Sequence, residues 1–173
     1  MLPEDISDVL RNKAIANNAE AWLVELPALV AVLEHDWQIT VGAPYLGGTE
    51  AYVAEARLAD GTKVVLKLGM SRDAFDARDE IVVLRLTDGD GCVRLLRDDE
   101  ERNAMLLERL GPSMHELSLS LAERHEALCC AAQRFWRPAP DCGLSTGLIA
   151  KSIGLEPVGS QMLAIADEIG KNA

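Results

Sequence analysis

The hydrophobic and polar positions of this chain change period several times along its length, and each change predicts a different element. Residues 4–35 carry apolar residues at helical spacing, with Asn17 or Asn18 as a helix cap and Pro27 as an expected interruption. An apolar run over 37–41, an alternating run over 51–58 and an apolar run over 63–68 predict three strands. The Asp60-Gly61 pair between the last two strands is typical of a tight hairpin turn.

The second half of the chain continues with a helix and two further strands. Ser71 is a candidate cap for a helix over 72–86, and strands are expected over 93–97 and 103–110 on either side of an acidic turn. Ser113-x-x-Glu116 and Ser120-x-x-Glu123 have the spacing of capping boxes; the first predicts a short helix and the second a longer one, to about residue 137. Two more helices are expected over 144–153 and 157–169, so the predicted fold is α+β, with a five-stranded antiparallel sheet and one inserted helix. We divide the chain into an N-terminal helical segment (1–36), a sheet domain (37–111) and a helical segment (112–173).

Composition and charge narrow the possible partners. The 173 residues carry a formal net charge of −11, which disfavours general binding to nucleic acid or to an anionic membrane surface, because both require a cationic face. The first residues have no secretory signal pattern, and no apolar run is long enough to cross a bilayer. The four cysteines form no C-x-x-C motif. Reduced thiols in a cytoplasmic protein are therefore expected.

The residues between 42 and 67 suggest a site for phosphate. Glycines 42, 47 and 48 lie in the loop 42–50, and glycine lets backbone N–H groups approach phosphate oxygens closely. Strand alternation places Val65 and Lys67 on one face, and a lysine on a largely apolar face requires an anionic partner. Glu80, or failing that Asp76, is the candidate carboxylate on the following helix. A solvated lysine and an ordinary acidic helix face remain the alternatives.

These elements and residues together resemble the aminoglycoside/hydroxyurea phosphotransferase family, the group that includes streptomycin 6-kinases. The resemblance covers roughly residues 20–140 and thins out after Asp141. It is carried by five stretches: G-G-T-E-A-Y-V at 47–53, D-G-T-K-V-V-L-K-L at 60–68, L-R-L at 84–86, G-C-V-R-L-L at 91–96 and L-E-R-L at 107–110.

The resemblance implies a protein-kinase-like N-lobe followed by a helical C-lobe that is incomplete in these 173 residues. It also implies ATP-dependent phosphorylation of a hydroxyl group on an antibiotic or similar small molecule. Lys67 matches the strand lysine that holds the α- and β-phosphates, and Glu80 matches its ion-pair partner. Val65 would then pack on the adenine, and Glu108 to Leu110 would form the hinge that reads the adenine edge. The loop residues Gly47, Gly48 and Thr49 would cover the phosphates, although this loop is not the G-x-G-x-x-G of protein kinases.

A kinase of this fold also needs an aspartate in an H-x-D-x-x-x-x-N context and a later aspartate that holds Mg²⁺. His35, His115 and His125 are not followed by such a pattern. We therefore expect no catalytic residue and no metal ligand in this chain, and no significant kinase activity from it alone. The alternatives are a non-catalytic lobe that binds nucleotide or a partner chain, with a homodimer through its C-terminal helices as one form, and a purely structural α+β domain.

Overall fold

A computed structural model describes residues 6–48, 50–70 and 77–136 of the chain, all within one unit spanning Met1–Pro138. Several predictions fall outside these described residues: those for Thr49, Ser71 and Asp76, and the two helices predicted after residue 137. The elements in chain order are α1 (Asp8–Ala16), α2 (Glu20–Trp37), β1 (Ile39–Pro44), β2 (Ala51–Leu58), β3 (Lys63–Gly69), α3 (Ala77–Thr87), β4 (Leu95–Asp99), β5 (Ala104–Glu108) and α4 (Leu121–Phe135).

The N-terminal helices differ from the expectation in three ways. Ser7 caps α1 by accepting a hydrogen bond from the amide of Leu10, whereas Asn17 and Asn18 lie at the C-terminal end of that helix, and Asn18 has a positive φ of 54°. Asn18 fits this position, because Asn adopts the left-handed conformation more readily than most residues. The predicted asparagine cap of the second helix is therefore wrong; Ala19 precedes α2 without a side-chain cap bond.

Pro27 does not interrupt the second helix, since α2 continues from Glu20 to Trp37 with the proline inside it. A proline in a helix interior removes one hydrogen bond and costs about 3 kcal/mol or more. Leu23, Leu26 and Leu33 lie before and after it and are almost fully buried. Each such side chain contributes about 1.5–3 kcal/mol on burial, which offsets the cost of the proline. Trp37, predicted to begin the first strand, is instead the last residue of α2.

The sheet confirms the predicted five antiparallel strands, in the spatial order β1-β2-β3-β5-β4. The Asp60-Gly61 turn joins β2 to β3 as predicted; Gly61 has a φ of +86°, and Asp60 accepts a hydrogen bond of 2.8 Å from the amide of Thr62. The last two strands lie within two residues of their predicted bounds. β5 lies between β3 and β4 in the sheet. The chain therefore passes from β3 through α3 to the edge strand β4, and then returns as β5 between them.

Different helices pack on the two faces of the sheet. One face carries the large core, in which Val64, Leu66 and Leu68 of β3 pack with apolar residues of α1 and α2. The opposite face carries a smaller core, in which Ile81 and Leu84 of α3 pack with residues of β5, among them Met105 and Leu107.

The segment after the sheet begins with a turn. Glu116 accepts a hydrogen bond from the amide of Ser113, but residues 114–116 form a turn, so the predicted short helix is wrong. The second capping box is confirmed: the Ser120 hydroxyl accepts from the amide of Glu123, and the Glu123 carboxylate accepts from the amide of Ser120. No helix within the described part of the chain is both long enough and apolar enough to cross a membrane.

Candidate functional site

The centre of the candidate site is a close ion pair between β3 and α3. The Lys67 ammonium donates to both carboxylate oxygens of Glu80, at 2.5 Å and 2.7 Å. The lysine side chain is 25% exposed and the glutamate 43% exposed, so solvent reaches both charges. The predicted pairing of Lys67 with Glu80 therefore agrees with this geometry. Asp76, the alternative partner, lies outside the described residues.

The sequence places these two charges together by two local patterns. Alternation along β3 sends Leu66 and Leu68 into the large core and leaves Lys67 on the opposite face. On α3, Ile81 and Leu84 are buried against the sheet, and Glu80 lies next to Ile81 at the edge of that packed stripe. The apolar residues on either side thus fix the spacing at which the carboxylate meets the ammonium.

A network of arginine and carboxylate side chains ties α3 to the far edge of the sheet. Arg85 of α3 forms an ion pair with Asp98 of β4 through two nitrogen atoms, and its third nitrogen donates to Glu100 at 2.8 Å. The hydrogen bond to Asp98 raises the pKa of Arg85 above its ordinary value. These contacts lie between the helix that carries Glu80 and the β4–β5 hairpin, and they limit movement of that helix away from Lys67. The sequence analysis did not identify this network, because it depends on the spatial order of the strands.

The glycine loop lies at the same end of the sheet as Lys67. The strand register places Val53 of β2 opposite Lys67, and the amide of Tyr45 donates to the carbonyl of Val53 at 2.8 Å. A Cβ atom at Gly48 would lie 2.7 Å from the carbonyl oxygen of Ala51, whereas a Cβ at Gly47 would meet nothing within 4 Å. Glycine is therefore required sterically at position 48 and not at position 47. Thr49 lies outside the described residues.

Val65 and the residues after β5 adjoin this face. Val65 is partly buried beside the smaller core and lies opposite Glu55 of β2 and Leu107 of β5 in the register. The amide of Glu108 donates to the carbonyl of Arg94 at 3.0 Å, and the Glu108 carboxylate accepts from the amide of Arg94 at 2.8 Å. The Glu108 amide is therefore engaged within the protein. Leu110, which follows the strand, is exposed.

A second cluster on the same face was not expected from the sequence. The Tyr45 hydroxyl lies 3.2 Å from a carboxylate oxygen of Glu55, and the Arg109 guanidinium carbon lies 5.1 Å from the centre of the tyrosine ring. Partial burial raises the pKa of Tyr45; the nearby Arg109 charge opposes this shift, and Glu55 adds to it. The cluster joins the loop, β2 and the segment after β5. These residues are ten and more positions apart, and only the strand register brings them together.

A resident metal is not supported by the residues at hand. Within residues 6–48, 50–70 and 77–136, no group of three or more His, Cys, Asp or Glu side chains is placed to hold a metal ion. Cys92, Cys129 and Cys130 carry free thiols, and Cys142 lies outside the described residues. The described residues therefore contain no identified set of Mg²⁺ ligands.

Comparison with known proteins gives a consistent set of relatives. A family model described as "Aminoglycoside/hydroxyurea antibiotic resistance kinase" matches residues 36–149. The chain is 37% identical over 151 residues to a streptomycin 6-kinase of Streptomyces griseus, covering 85% of this chain and 48% of that protein. It is 39% identical over 101 residues to a streptomycin 6-kinase of Streptomyces glaucescens, covering 58% of this chain and 32% of the relative.

A third relative is named for a different substrate. The chain is 40% identical over 90 residues to a hydroxyurea phosphotransferase of Kitasatospora aureofaciens, covering 52% of this chain and 26% of that protein. The chain thus spans about half the length, or less, of the curated relatives it matches. No solved structure matches the chain significantly.

Proposed function

Because this chain belongs to the aminoglycoside/hydroxyurea antibiotic resistance kinase family, we propose that it supplies the nucleotide-binding lobe of an ATP-dependent O-phosphotransferase. The Lys67–Glu80 ion pair beside the glycine loop carries this proposal. A strand lysine held by a helix carboxylate presents its ammonium at a fixed position, which is how kinases of this fold neutralise nucleotide phosphates. The α+β fold and the five-stranded antiparallel sheet agree with that assignment.

Each remaining site residue has a proposed role toward the nucleotide. Lys67 binds the α- and β-phosphates, and Glu80 orients the lysine. The loop residues Gly47, Gly48 and Thr49 cover the phosphates with backbone N–H groups. Val65 packs on the adenine ring. The segment from Glu108 to Leu110 reads the adenine edge; since the Glu108 amide already donates to Arg94, the contacts would come from other backbone groups of that segment.

The acceptor is proposed to be a hydroxyl-bearing small molecule. The relatives are named for streptomycin and for hydroxyurea, so an aminoglycoside and hydroxyurea are the first compounds to test. Resistance to such a compound would follow from phosphorylation of the group by which it acts. The proposed location is the cytoplasm, where ATP is available and thiols remain reduced.

We do not expect residues 1–173 alone to transfer phosphate. None of the three histidines begins an H-x-D-x-x-x-x-N pattern, and phosphoryl transfer depends on a positioned base and on metal charge. The second candidate function is therefore binding of nucleotide, or of a partner chain, without catalysis. The exposed apolar side chains Leu128 and Trp136 near α4 favour that alternative, because exposed apolar patches often mark interaction sites.

Two measurements on the 173-residue polypeptide separate these functions. The first is a titration with ATP followed by calorimetry, in which saturable binding supports the nucleotide lobe. The second is a phosphotransfer assay with labelled ATP and either streptomycin or hydroxyurea. Binding without transfer is the expected result. Robust turnover would contradict the expected inactivity, absence of ATP binding would contradict the lobe assignment, and light scattering would report whether the chain forms a dimer.

A further inference from the structure

A small cleft with a strong positive charge lies on the Lys67 face, at the end of the sheet nearest the β2–β3 turn. Its volume is about 140 Å³, and Thr40, Glu55, Arg57, Lys63 and Arg109 contribute to its lining. Thr40, Arg57 and Lys63 occupy one continuous row across three strands, because Thr40 is paired with Arg57 and Arg57 with Lys63. Three different strands and the segment after β5 therefore contribute to one site.

The cations that line this cleft outnumber its carboxylates by three to one. Like charges directly opposite one another across an antiparallel pair are destabilising, yet Arg57 and Lys63 are such a pair. Neither has an ion-pair partner within the described part of the chain, while the Arg109 guanidinium faces the ring of Tyr45. Glu55 is the acidic residue of the lining, and its carboxylate accepts a hydrogen bond from Tyr45.

This row of like charges contrasts with the overall negative charge of the chain. Acidic residues outnumber Lys and Arg by 28 to 17, so surface cations would be expected to have carboxylate neighbours, as Arg85 and Arg102 do. Two unpaired cations directly opposite each other, with a third beside them, create a local positive potential. An anion bound between them would remove the repulsion within the row and would gain charge-assisted hydrogen bonds.

We propose that this cleft binds a small phosphate-bearing anion, at a site separate from the one that holds the nucleotide phosphates. Arginine presents a planar fork of N–H donors that suits phosphate oxygens, lysine adds a point charge, and the Thr40 hydroxyl is a further donor. A cleft of about 140 Å³ is smaller than the roughly 300–1,000 Å³ of sites for drug-sized ligands. The site therefore accommodates a single phosphate group and not a whole nucleotide.

The strand geometry separates this cleft from the ion pair. Lys63 and Lys67 are four residues apart on β3, which corresponds to roughly 13 Å along a strand. The ligand has two possible sources with the same chemistry: free inorganic phosphate, and the phosphoryl group of a phosphorylated small molecule. Comparison of inorganic phosphate with ribose 5-phosphate distinguishes them, since a site for phosphorylated molecules would bind the ester more tightly.

The test is a titration of the 173-residue protein with inorganic phosphate at constant ionic strength, followed by amide chemical shifts. We expect saturable shifts at Thr40, Arg57 and Lys63, and at least a tenfold weaker affinity in the double variant Arg57→Gln/Lys63→Gln. The matched control Arg11→Gln removes a cation from α1, which packs on the opposite face of the sheet, and should bind phosphate like the wild type. Thermal denaturation of each variant establishes that it is folded.

An ATP titration of the same variants keeps this proposal distinct from the proposed function. The double variant should retain ATP affinity within about twofold, whereas Lys67→Met should retain phosphate affinity and lose ATP affinity. Phosphate binding that disappears in Lys67→Met and persists in the double variant would overturn the separate site. Failure of the wild type to show saturable phosphate binding would also overturn it, and this second result would not bear on binding of ATP by Lys67.

Discussion

The contact between α3 and β4 should control how firmly Glu80 is held against Lys67, and Arg85→Gln tests this directly. Arg85 pairs with Asp98 and Glu100 while its side chain is half exposed. An exposed ion pair contributes about 0.2–1 kcal/mol, so loss of both pairs should cost about 1 kcal/mol. A change of that size lowers the melting temperature by about 2–4 °C in a chain of this length. It would also weaken nucleotide binding by up to about fivefold if the whole loss were transmitted to Glu80.

The assay is a double-mutant cycle measured by urea denaturation, with Arg85→Gln, Asp98→Asn and the double variant. Contact between the two side chains predicts that the second substitution costs less once the first is present. Arg94→Gln is the matched control. The Arg94 guanidinium lies 3.7 Å from the Asp88 carboxylate, with both side chains mostly exposed, and donates to the Asp88 carbonyl at 3.4 Å. Loss of these weak contacts should change stability by less than about 0.5 kcal/mol. Additive effects of Arg85→Gln and Asp98→Asn would refute the reasoning.

Three further predictions concern the core, the loop and the helix cap. Leu66→Ala should lower the free energy of unfolding by about 2–5 kcal/mol, because Leu66 is fully buried; a urea titration measures this. Gly48→Ala should weaken ATP binding in calorimetry more than Gly47→Ala does, because only the Gly48 Cβ would collide with backbone. Hydrogen bonds from Ser120 hold the pKa of Glu123 below its ordinary value. The stabilisation of the folded state by the ionised Glu123 is present above the unfolded pKa and is lost as pH falls through the folded pKa. Ser120→Ala should raise the Glu123 pKa in an NMR titration. The variant should therefore lose less stability than the wild type when the pH is lowered.

Local sequence signals predicted the sheet well and the N-terminal helices less well. The β2–β3 hairpin follows from alternation and from Asp60-Gly61, which depend on neighbouring residues alone. Pro27 misled the prediction, because the burial that compensates for a helix-interior proline comes from a distant sheet. Local preference alone also failed after the sheet, where the Ser113-x-x-Glu116 spacing predicted a short helix and the chain forms a turn.

Local patterns likewise predicted one part of the candidate site and not the other. Lys67 and Glu80 were predicted together, because strand and helix periodicity put both charges at the edge of an apolar stripe. The Tyr45–Glu55–Arg109 cluster was missed. Its members become neighbours only through the pairing of β1 with β2 and the return of β5 beside β3. No spacing in the sequence contains that information.

The most direct test of the central claim is the affinity of ATP for the wild type and for Lys67→Met, measured by calorimetry on the same preparation. Loss of the ammonium leaves Glu80 without its partner and removes the charge that would meet the phosphates. The account predicts at least a tenfold loss of affinity, which corresponds to about 1.4 kcal/mol. Lys63→Met, on the same strand and face but at the hairpin end, should stay within about twofold of the wild type. Equal affinity of the wild type and Lys67→Met, or no binding by either, would contradict the assignment of this sheet as a nucleotide-binding lobe.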